Sequence, residues 1–204
     1  MILVDDCSTD QSKQIISKYV KKDRRIKYIK LNKNRGAGEA RNKAIEVSIG
    51  RYIAFLDSDD FWSKEKLEKQ IIFLKKNKVG AVFSQYYIFN RNLETTHIIK
   101  SPKKTNFKNM QKNDYIGFLT FLIDTKKTGK PLMPSIRRRQ DWAYKLIILK
   151  PGIEALSLQE PLAYYRVGNQ SLSSNKLKLL KYNFNVFRKI MACLLYTSPS
   201  PRDS

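Results

Sequence analysis

The feature that most constrains the fold is an apolar segment that runs straight into an acidic cluster. Residues 52–56 read Tyr-Ile-Ala-Phe-Leu, and residues 57–60 read Asp-Ser-Asp-Asp. A short segment that is apolar at every position is typical of a strand buried on both faces of a parallel sheet. Negative charges crowded at its end cost stability unless a cation neutralises them. The pattern predicts a central strand with a cation-binding end, although aspartate-rich turns also serve as plain loops.

Apolar runs and helical patterns alternate along the first 89 residues. The predicted strands are residues 1–4, 26–31, 52–56, 81–84 and 86–89. The predicted helices are residues 14–21, 39–47 and 64–76. This alternation predicts an α/β fold with a mixed, mostly parallel sheet flanked by helices. Ligands bind beyond the carboxyl ends of such strands, so Asp5 and Asp6 are expected to face one crevice with residues 57–60.

The second half of the chain carries weaker signals. It predicts a helix over 137–149, a strand over 162–166 and a basic amphipathic helix within 176–192. Residues 193–204 lose lysine and become rich in serine and proline, so we interpret them as a non-native tail; a natural disordered tail is the alternative.

Charge and composition narrow the classes of function. The net charge is +22, from 40 Lys and Arg against 18 Asp and Glu. Such an excess points to nucleic acid, an anionic membrane surface or phosphorylated substrates, or reflects compositional bias. Two cysteines and one histidine exclude a disulfide scaffold and a four-ligand zinc site. A membrane-spanning run and a secretory signal are both missing, so a cytoplasmic location is expected, with possible peripheral contact at the inner face of the membrane.

Three ordered motifs resemble the family 2 glycosyltransferases, which have the GT-A fold. They are Val4–Asp10, Asn34–Asn42 and Gly50–Trp62. Arg139–Trp142 and Leu162–Arg166 resemble later segments of the same family, so the likeness extends to about residue 175. The neighbourhood of Arg139–Trp142 is similar to enzymes of bacterial surface-polysaccharide assembly, including teichuronic acid types.

The resemblance implies a GT-A domain over 1–175, with a nucleotide-sugar and metal half over 1–89 and an acceptor half over 90–175. It implies a UDP-sugar donor, a Mn²⁺ or Mg²⁺ cofactor, and inverting transfer to a hydroxyl of a polysaccharide or lipid-linked acceptor. No nucleic acid partner is expected from it.

The donor-side roles carry over by position. Asp6 matches the aspartate that binds the nucleobase; the alternative is that it caps the next helix. Asp57 and Ser58 match donor contacts, and Asp59 with Asp57 matches the metal ligands. Arg41 lies where a cation can approach the diphosphate. A structural ion pair of Arg41 with Glu39 or Asp57 is the alternative.

The acceptor-side roles centre on Asp141, which matches the general base. Its alternative is a first-turn carboxylate favoured by the helix dipole. Arg139, Gln140 and Trp142 are assigned to the acceptor side; Trp142 either stacks on a sugar or packs, and packing is favoured. Family members often have Glu-Asp where this chain has Gln140-Asp141, a change that keeps the presumed base.

The chain departs from the family pattern at its start, which matches the family's second strand. We therefore expect that a first βα unit is missing and that the sequence is a fragment. Two other functions stay open: a catalytically inactive sugar-nucleotide-binding fragment, and a basic nucleic-acid-binding protein. The second lacks a helix-turn-helix, RNP or zinc pattern.

Overall fold

The computed structural model describes residues 1–90, 94–136, 138–150 and 152–167, together with positions 186 and 190. The first unit comprises β1 (Ile2–Asp5), α1 (Ser12–Lys22) and β2 (Lys27–Lys30). The two strands pair in parallel as a two-stranded sheet, with α1 as the crossover. Helix α2 (Ala37–Val47) follows. These elements confirm the order predicted for the first 47 residues.

The rest of the described chain builds a seven-stranded sheet and its flanking helices. Its strands are β3 (Tyr52–Ala54), β4 (Phe61–Trp62), β5 (Ala81–Phe89), β6 (Thr95–Ile99), β7 (Lys104–Thr105), β8 (Leu122–Asp124) and β9 (Ala155–Arg166). The helices are α3 (Lys66–Asn77), α4 (Phe107–Lys112), α5 (Thr125–Thr128) and α6 (Gln140–Leu149), with a 3₁₀ turn at Phe118–Thr120.

The sheet has the order β3-β8-β5-β9-β4, with β6 beside β5 and β7 beside β9. The mixed α/β architecture is confirmed, but its mostly parallel character is not. Within the described residues, β1–β2 and β5–β9 are parallel and the other ladders are antiparallel. A local pattern reveals a strand but not its partner, and β8 inserts between β3 and β5 from a distant part of the sequence.

Strand boundaries also differ from the prediction. The runs 81–84 and 86–89 form the single strand β5, and the strand predicted over 162–166 begins already at Ala155. Shifts in register between β5 and β9 near Gln85 interrupt the alternation that pattern reasoning relies on.

The core lies on both faces of β5, because successive side chains of a strand point in opposite directions. Ala81 and Phe83 pack with α6, whose buried residues include Tyr144, Leu146 and Leu149. Val82, between them, packs with Leu74 of α3 and Leu122 of β8. Helix α6 is therefore held against the sheet by buried apolar contacts, which fixes the position of the residues at its start.

The predicted helix within 176–192 and the predicted tail over 193–204 lie outside the described residues, except for Val186 and Ile190. Both of these are helical and buried in the cluster that contains α6. Throughout the described ranges, none of the helices combines the length and apolarity needed to cross a membrane.

Candidate active site

The acidic loop after β3 consists of residues 57–60. Asp57, Ser58 and Asp59 are exposed, whereas Asp60 is buried at 6% exposure. Asp60 accepts a hydrogen bond from the Arg166 backbone N–H at 3.0 Å, which ties the loop to the end of β9. Burial raises the pKa of Asp60 to about 6, and the charges of Asp59 and Asp57 add to the effect. Asp60 therefore anchors the loop, and the exposed carboxylates remain available.

Arg41 projects from α2 to the acidic loop. Its guanidinium forms an ion pair with Asp57, which settles the choice between Glu39 and Asp57 as its partner. The same guanidinium lies 5.1 Å from the centroid of the Phe118 ring. It also contributes to the low pKa of Asp141. Arg41 is thus the cation between the acidic loop and the start of α6.

Asp6 holds the turn that precedes α2. Its two carboxylate oxygens accept hydrogen bonds from the backbone N–H groups of Arg35 at 2.8 Å and Gly36 at 2.6 Å. Gly36 has φ = 91°, a conformation that a residue with a Cβ rarely adopts. The prediction that Asp6 caps the next helix is wrong, because α1 begins after Gln11 without a side-chain cap.

Helix α2 links the two acidic clusters that were predicted to face one crevice, because each cluster contacts this helix or its first turn. Asp6 binds the turn at its start, and Asp57 pairs with Arg41, which lies five residues after Gly36. Asp5 has a different place: it is buried and accepts hydrogen bonds from Tyr28 Oη and Ser8 N, both at 2.7 Å. Asp5 is therefore a structural residue of the first unit.

Asp141 lies in the first turn of α6, with 37% of its side chain exposed. Lys145 Nζ, one turn further along, is 3.6 Å from its carboxylate. Burial opposes the ionisation of Asp141, but Lys145, the backbone N–H of Trp142 and Arg41 outweigh it, so the pKa of this carboxyl lies below its usual value. A carboxylate that stays ionised and faces solvent can accept a proton.

Trp142 packs rather than lining the crevice. Its ring is 4% exposed, and Nε1 donates to the Met110 carbonyl at 2.8 Å. The favoured packing interpretation is correct, and the assignment of Trp142 to the acceptor surface is wrong, because so deeply buried a ring has no free face for a sugar. Arg139 lies over the other side of this ring, at 5.6 Å from its centroid.

Gln140 and Arg139 shape the start of α6. The Gln140 side chain lies against Gly38 of α2, where a Cβ would stand only 2.5 Å from it. Its amide also donates to the Ile136 carbonyl. Arg139 adopts the left-handed conformation, with φ = 63°. The contacts of Gln140 therefore join α6 to α2. Arg137, the first residue of the predicted helix, lies outside the described residues.

Three residues near Asp141 escaped sequence reasoning. Tyr165 of β9 is 41% exposed; burial raises its pKa, and the charges of Asp60, Asp59, Asp57 and Asp141 add to the effect. Lys145 carried a signal, since it stands four residues after Asp141 on a predicted helix. Asp114, which pairs with Lys145 at 2.8 Å, lies in a stretch with no usable pattern.

The acidic loop suits a cation that arrives with phosphates. Across the described part of the chain, no three Asp, Glu, His or Cys side chains converge into a ready-made metal cage. The side chain of Asp59 makes no hydrogen bond or ion pair with another described residue, and among the described residues the carboxylate of Asp57 pairs only with Arg41. Mg²⁺ is commonly held by one or two carboxylates together with substrate phosphates. The donor set therefore fits Mg²⁺ or Mn²⁺ bound with a diphosphate.

Comparison with known proteins agrees with this geometry. Residues 1–127 match the family described as Glycosyl transferase family 2. The chain is 45% identical over 191 residues to the putative teichuronic acid biosynthesis glycosyltransferase TuaG of Bacillus subtilis, covering 93% of this chain and 76% of that protein. It is 39% identical over 203 residues to WfaP of Escherichia coli, named as a UDP-Glc:α-D-GlcNAc-diphosphoundecaprenol β-1,3-glucosyltransferase, covering 96% of this chain and 79% of WfaP.

Solved structures confirm the GT-A fold. Residues 1–349 of S. aureus TarS in complex with UDP-GlcNAc superpose with a TM-score of 0.73 at 22% identity, over 93% of this chain and 55% of that one. The mannosyltransferase PcManGT from Pyrobaculum calidifontis, in complex with GDP-Man and Mn²⁺, gives a TM-score of 0.61 at 15% identity, over 98% of this chain and 56% of that one. The chain spans about half the length of these structures. On the family match and on relatives of this identity and extent, the chain belongs to glycosyl transferase family 2 and is a glycosyltransferase.

Proposed function

We propose that this glycosyltransferase moves a sugar from UDP to a hydroxyl of a lipid-diphosphate-linked saccharide, with inversion at the anomeric carbon. The observation that carries the proposal is that Arg41 forms an ion pair with Asp57 of the acidic loop and also lowers the pKa of Asp141. Asp59 is exposed and without a partner among the described residues, and Asp141 is ionised and faces solvent. Asp59 can bind a divalent cation that arrives with the donor diphosphate, and Asp141 can accept a proton from the acceptor hydroxyl.

On the donor side, Asp59 and Asp57 would hold Mn²⁺ or Mg²⁺. A divalent cation there would stabilise the negative charge that develops on the departing UDP. Arg41 contributes positive charge at the same edge, and its ion pair with Asp57 keeps the guanidinium aimed at the loop. Asp6 and Ser58 complete the proposed donor contacts: Asp6 for the nucleobase, since it forms the turn beside α2, and Ser58 from its exposed position within the loop.

On the acceptor side, Asp141 would remove the proton of the attacking hydroxyl. A single displacement needs one base, and attack from the face opposite the diphosphate inverts the anomeric configuration. A base that is already ionised requires no prior loss of a proton, which the low pKa of Asp141 provides. Arg139 remains a proposed acceptor contact, because its guanidinium lies beside the start of the same helix.

The acceptor class follows from chemistry and from relatives. WfaP is named for a GlcNAc-diphosphoundecaprenol acceptor, and TuaG for teichuronic acid biosynthesis. A net charge of +22 suits an anionic lipid diphosphate and an anionic bilayer surface. We therefore place the reaction at the cytoplasmic face of the membrane, with the protein in peripheral contact.

Two measurements test the proposal. Calorimetric titration of UDP, with and without Mn²⁺, should show binding that depends on manganese and is lost in Asp59→Ala. Transfer from UDP-glucose to GlcNAc-diphosphoundecaprenol, followed by NMR of the product's anomeric proton, should give an inverted linkage that Asp141→Asn abolishes. UDP binding without transfer from any common UDP-sugar would favour the inactive sugar-nucleotide-binding protein instead.

A further inference from the structure

Lys145 is a buried cation placed directly beneath the proposed base. Its side chain is 1% exposed. Nζ lies 2.8 Å from the Asp114 carboxylate and donates to the Ile116 carbonyl at 2.7 Å. The same atom is 3.6 Å from Asp141, whose own side chain is 37% exposed. The buried lysine therefore lies next to a carboxylate that is itself partly exposed to solvent.

A buried ammonium group of this kind is costly and demands compensation. Desolvation of a lysine is repaid only by close charged and hydrogen-bonded partners. Two carboxylates and a carbonyl surround Lys145, and the Phe118 ring lies 5.8 Å away. A purely structural ion pair would need only Asp114, because one carboxylate already neutralises one ammonium. The additional contact with Asp141 connects the buried ion pair to a partly exposed carboxylate.

We propose that Lys145 and Asp114 are positioning residues for the Asp141 base. Lys145 holds the carboxylate of Asp141 in one orientation and in its charged form, and Asp114 holds Lys145. This inference rests on the proposed function, since it takes Asp141 as the base. It adds two residues that neither the acidic loop nor the donor side requires.

The electrostatic surroundings of Asp141 agree with this arrangement. Lys145 is the largest influence that keeps the pKa of Asp141 low against burial. From the other elements packed around it, Arg41 of α2 acts in the same direction. Asp114 is a like charge, since Asp141 adds to the effect of burial in raising the pKa of Asp114. Tyr165 of β9 interacts electrostatically with Asp141. Once Lys145 is removed, Arg41 is the side-chain cation that still favours the charged form of Asp141.

The test compares three variants in the transfer assay with UDP-glucose. Lys145→Met removes the charge at similar volume, and Lys145→Arg keeps it. The double variant Lys145→Met with Asp114→Asn removes both members of the buried pair, so no unpaired charge is left to unfold the protein. Lys69→Met is the matched control, because Lys69 forms an ion pair with Glu160 at the surface away from the crevice. Thermal melts establish that each variant folds.

Lys145→Met and the double variant should lower kcat about 10- to 100-fold, as expected for a misplaced catalytic group. KM for UDP-glucose should stay within about twofold, because the donor contacts are untouched. The acidic limb of the profile of kcat/KM against pH should move up by about one pH unit, because the carboxylate loses its nearest cation. Lys145→Arg should retain most of kcat, and Lys69→Met all of it.

The decisive outcome is the behaviour of the double variant. If it melts like the parent protein and also recovers the parent kcat and pH profile, the pair is merely structural and the inference is overturned. Asp141→Asn separates this result from the proposed function. If Asp141→Asn still transfers sugar, the base assignment itself fails, whatever Lys145 does; if it is inactive while the double variant is normal, only the positioning role fails.

Discussion

The acidic loop and Asp141 differ in where the positive charge that balances their carboxylates comes from. The acidic loop over residues 57–60 leaves Asp59 exposed and without a described partner, and burial, with a smaller contribution from the charges of Asp59 and Asp57, raises the pKa of Asp60 to about 6. Asp141 at the start of α6 instead has Lys145 beneath it and a lowered pKa. The loop is incomplete until a ligand supplies charge, whereas the chain itself completes the surroundings of Asp141.

The difference teaches how one crevice can serve two tasks. In a site that binds and releases a cation in each cycle, carboxylates that repel one another without the cation favour its binding, because the cation relieves that repulsion. A base that must be ready before the acceptor arrives gains from an internal, permanent cation. Arg41 belongs to both centres, since it pairs with Asp57 and also lowers the pKa of Asp141.

The largest expected effect comes from removing the base. Asp141→Asn keeps the shape of the side chain and should reduce kcat about 10³-fold, since it can no longer accept a proton. Manganese-dependent UDP binding should remain, because the donor side is intact. Steady-state kinetics and calorimetry on the same preparation check both halves; loss of UDP binding in this variant would show that the two centres are not separable.

The next largest effect is expected at the acidic loop, residues 57–60. Asp59→Ala should lower kcat/KM about 10²-fold and remove the manganese dependence of UDP binding, because the exposed carboxylate is the proposed metal ligand. Metal titrations at fixed UDP measure it. Wild-type metal dependence in this variant would contradict the assignment and leave the cation without a place in the acidic loop.

A smaller effect is expected for the stability of the unliganded protein. The pKa of Asp60 is about 6 in the fold, above its ordinary value of 3.8, so the folded state binds this proton more tightly. The stability that this group contributes is fully present below about pH 4 and is lost as the pH rises through 6.

Asp60→Asn should remove this pH dependence and raise the free energy of unfolding at pH 7 by up to about 3 kcal/mol. The amide oxygen can still accept the hydrogen bond from Arg166 N. Denaturant unfolding between pH 4 and 7 gives the measurement, with the wild type as control. A variant with the same slope against pH would show that the loop is not electrostatically strained.

The smallest expected effect tests packing against stacking. Trp142→Phe loses the hydrogen bond to the Met110 carbonyl and some volume, so the free energy of unfolding should fall by about 1–2 kcal/mol. KM for the acceptor should not change, because the ring is buried. A rise of KM tenfold or more at unchanged stability would return Trp142 to the acceptor surface.

Local patterns predicted much of the scaffold that carries these centres. The helical spacing at 64–76 and the order of elements through α2 were readable, because amphipathicity is a property of neighbouring residues. The apolar run at 52–56 does contain the strand β3, but the prediction of a central parallel strand is wrong: β3 lies at one end of the described strand order and pairs antiparallel with β8. The strand pairing was not readable. β8 occupies a position between β3 and β5 that depends on contacts with segments about 40 to 70 residues away.

The candidate site divides in the same manner. Asp57, Asp59 and Asp141 could be singled out from motifs, and the ion pair of Arg41 was one of two stated alternatives. Trp142 could not be placed correctly, because its partner Met110 is brought to it by the packing of α6 against α4. The contact of Gln140 with Gly38 of α2 was equally invisible, and its acceptor-side role stays a prediction.

The sequence by itself determined the chemical groups available: exposed carboxylates at the end of an apolar strand, a carboxylate at the start of a helix, and a lysine one turn later. Only the tertiary structure decided which of them are charged, paired or accessible. Asp114 and Lys145 meet 31 residues apart in the sequence, and Asp60 meets Arg166 over 106 residues. Ionisation and orientation depend on distance and burial, which exist only once the chain has folded.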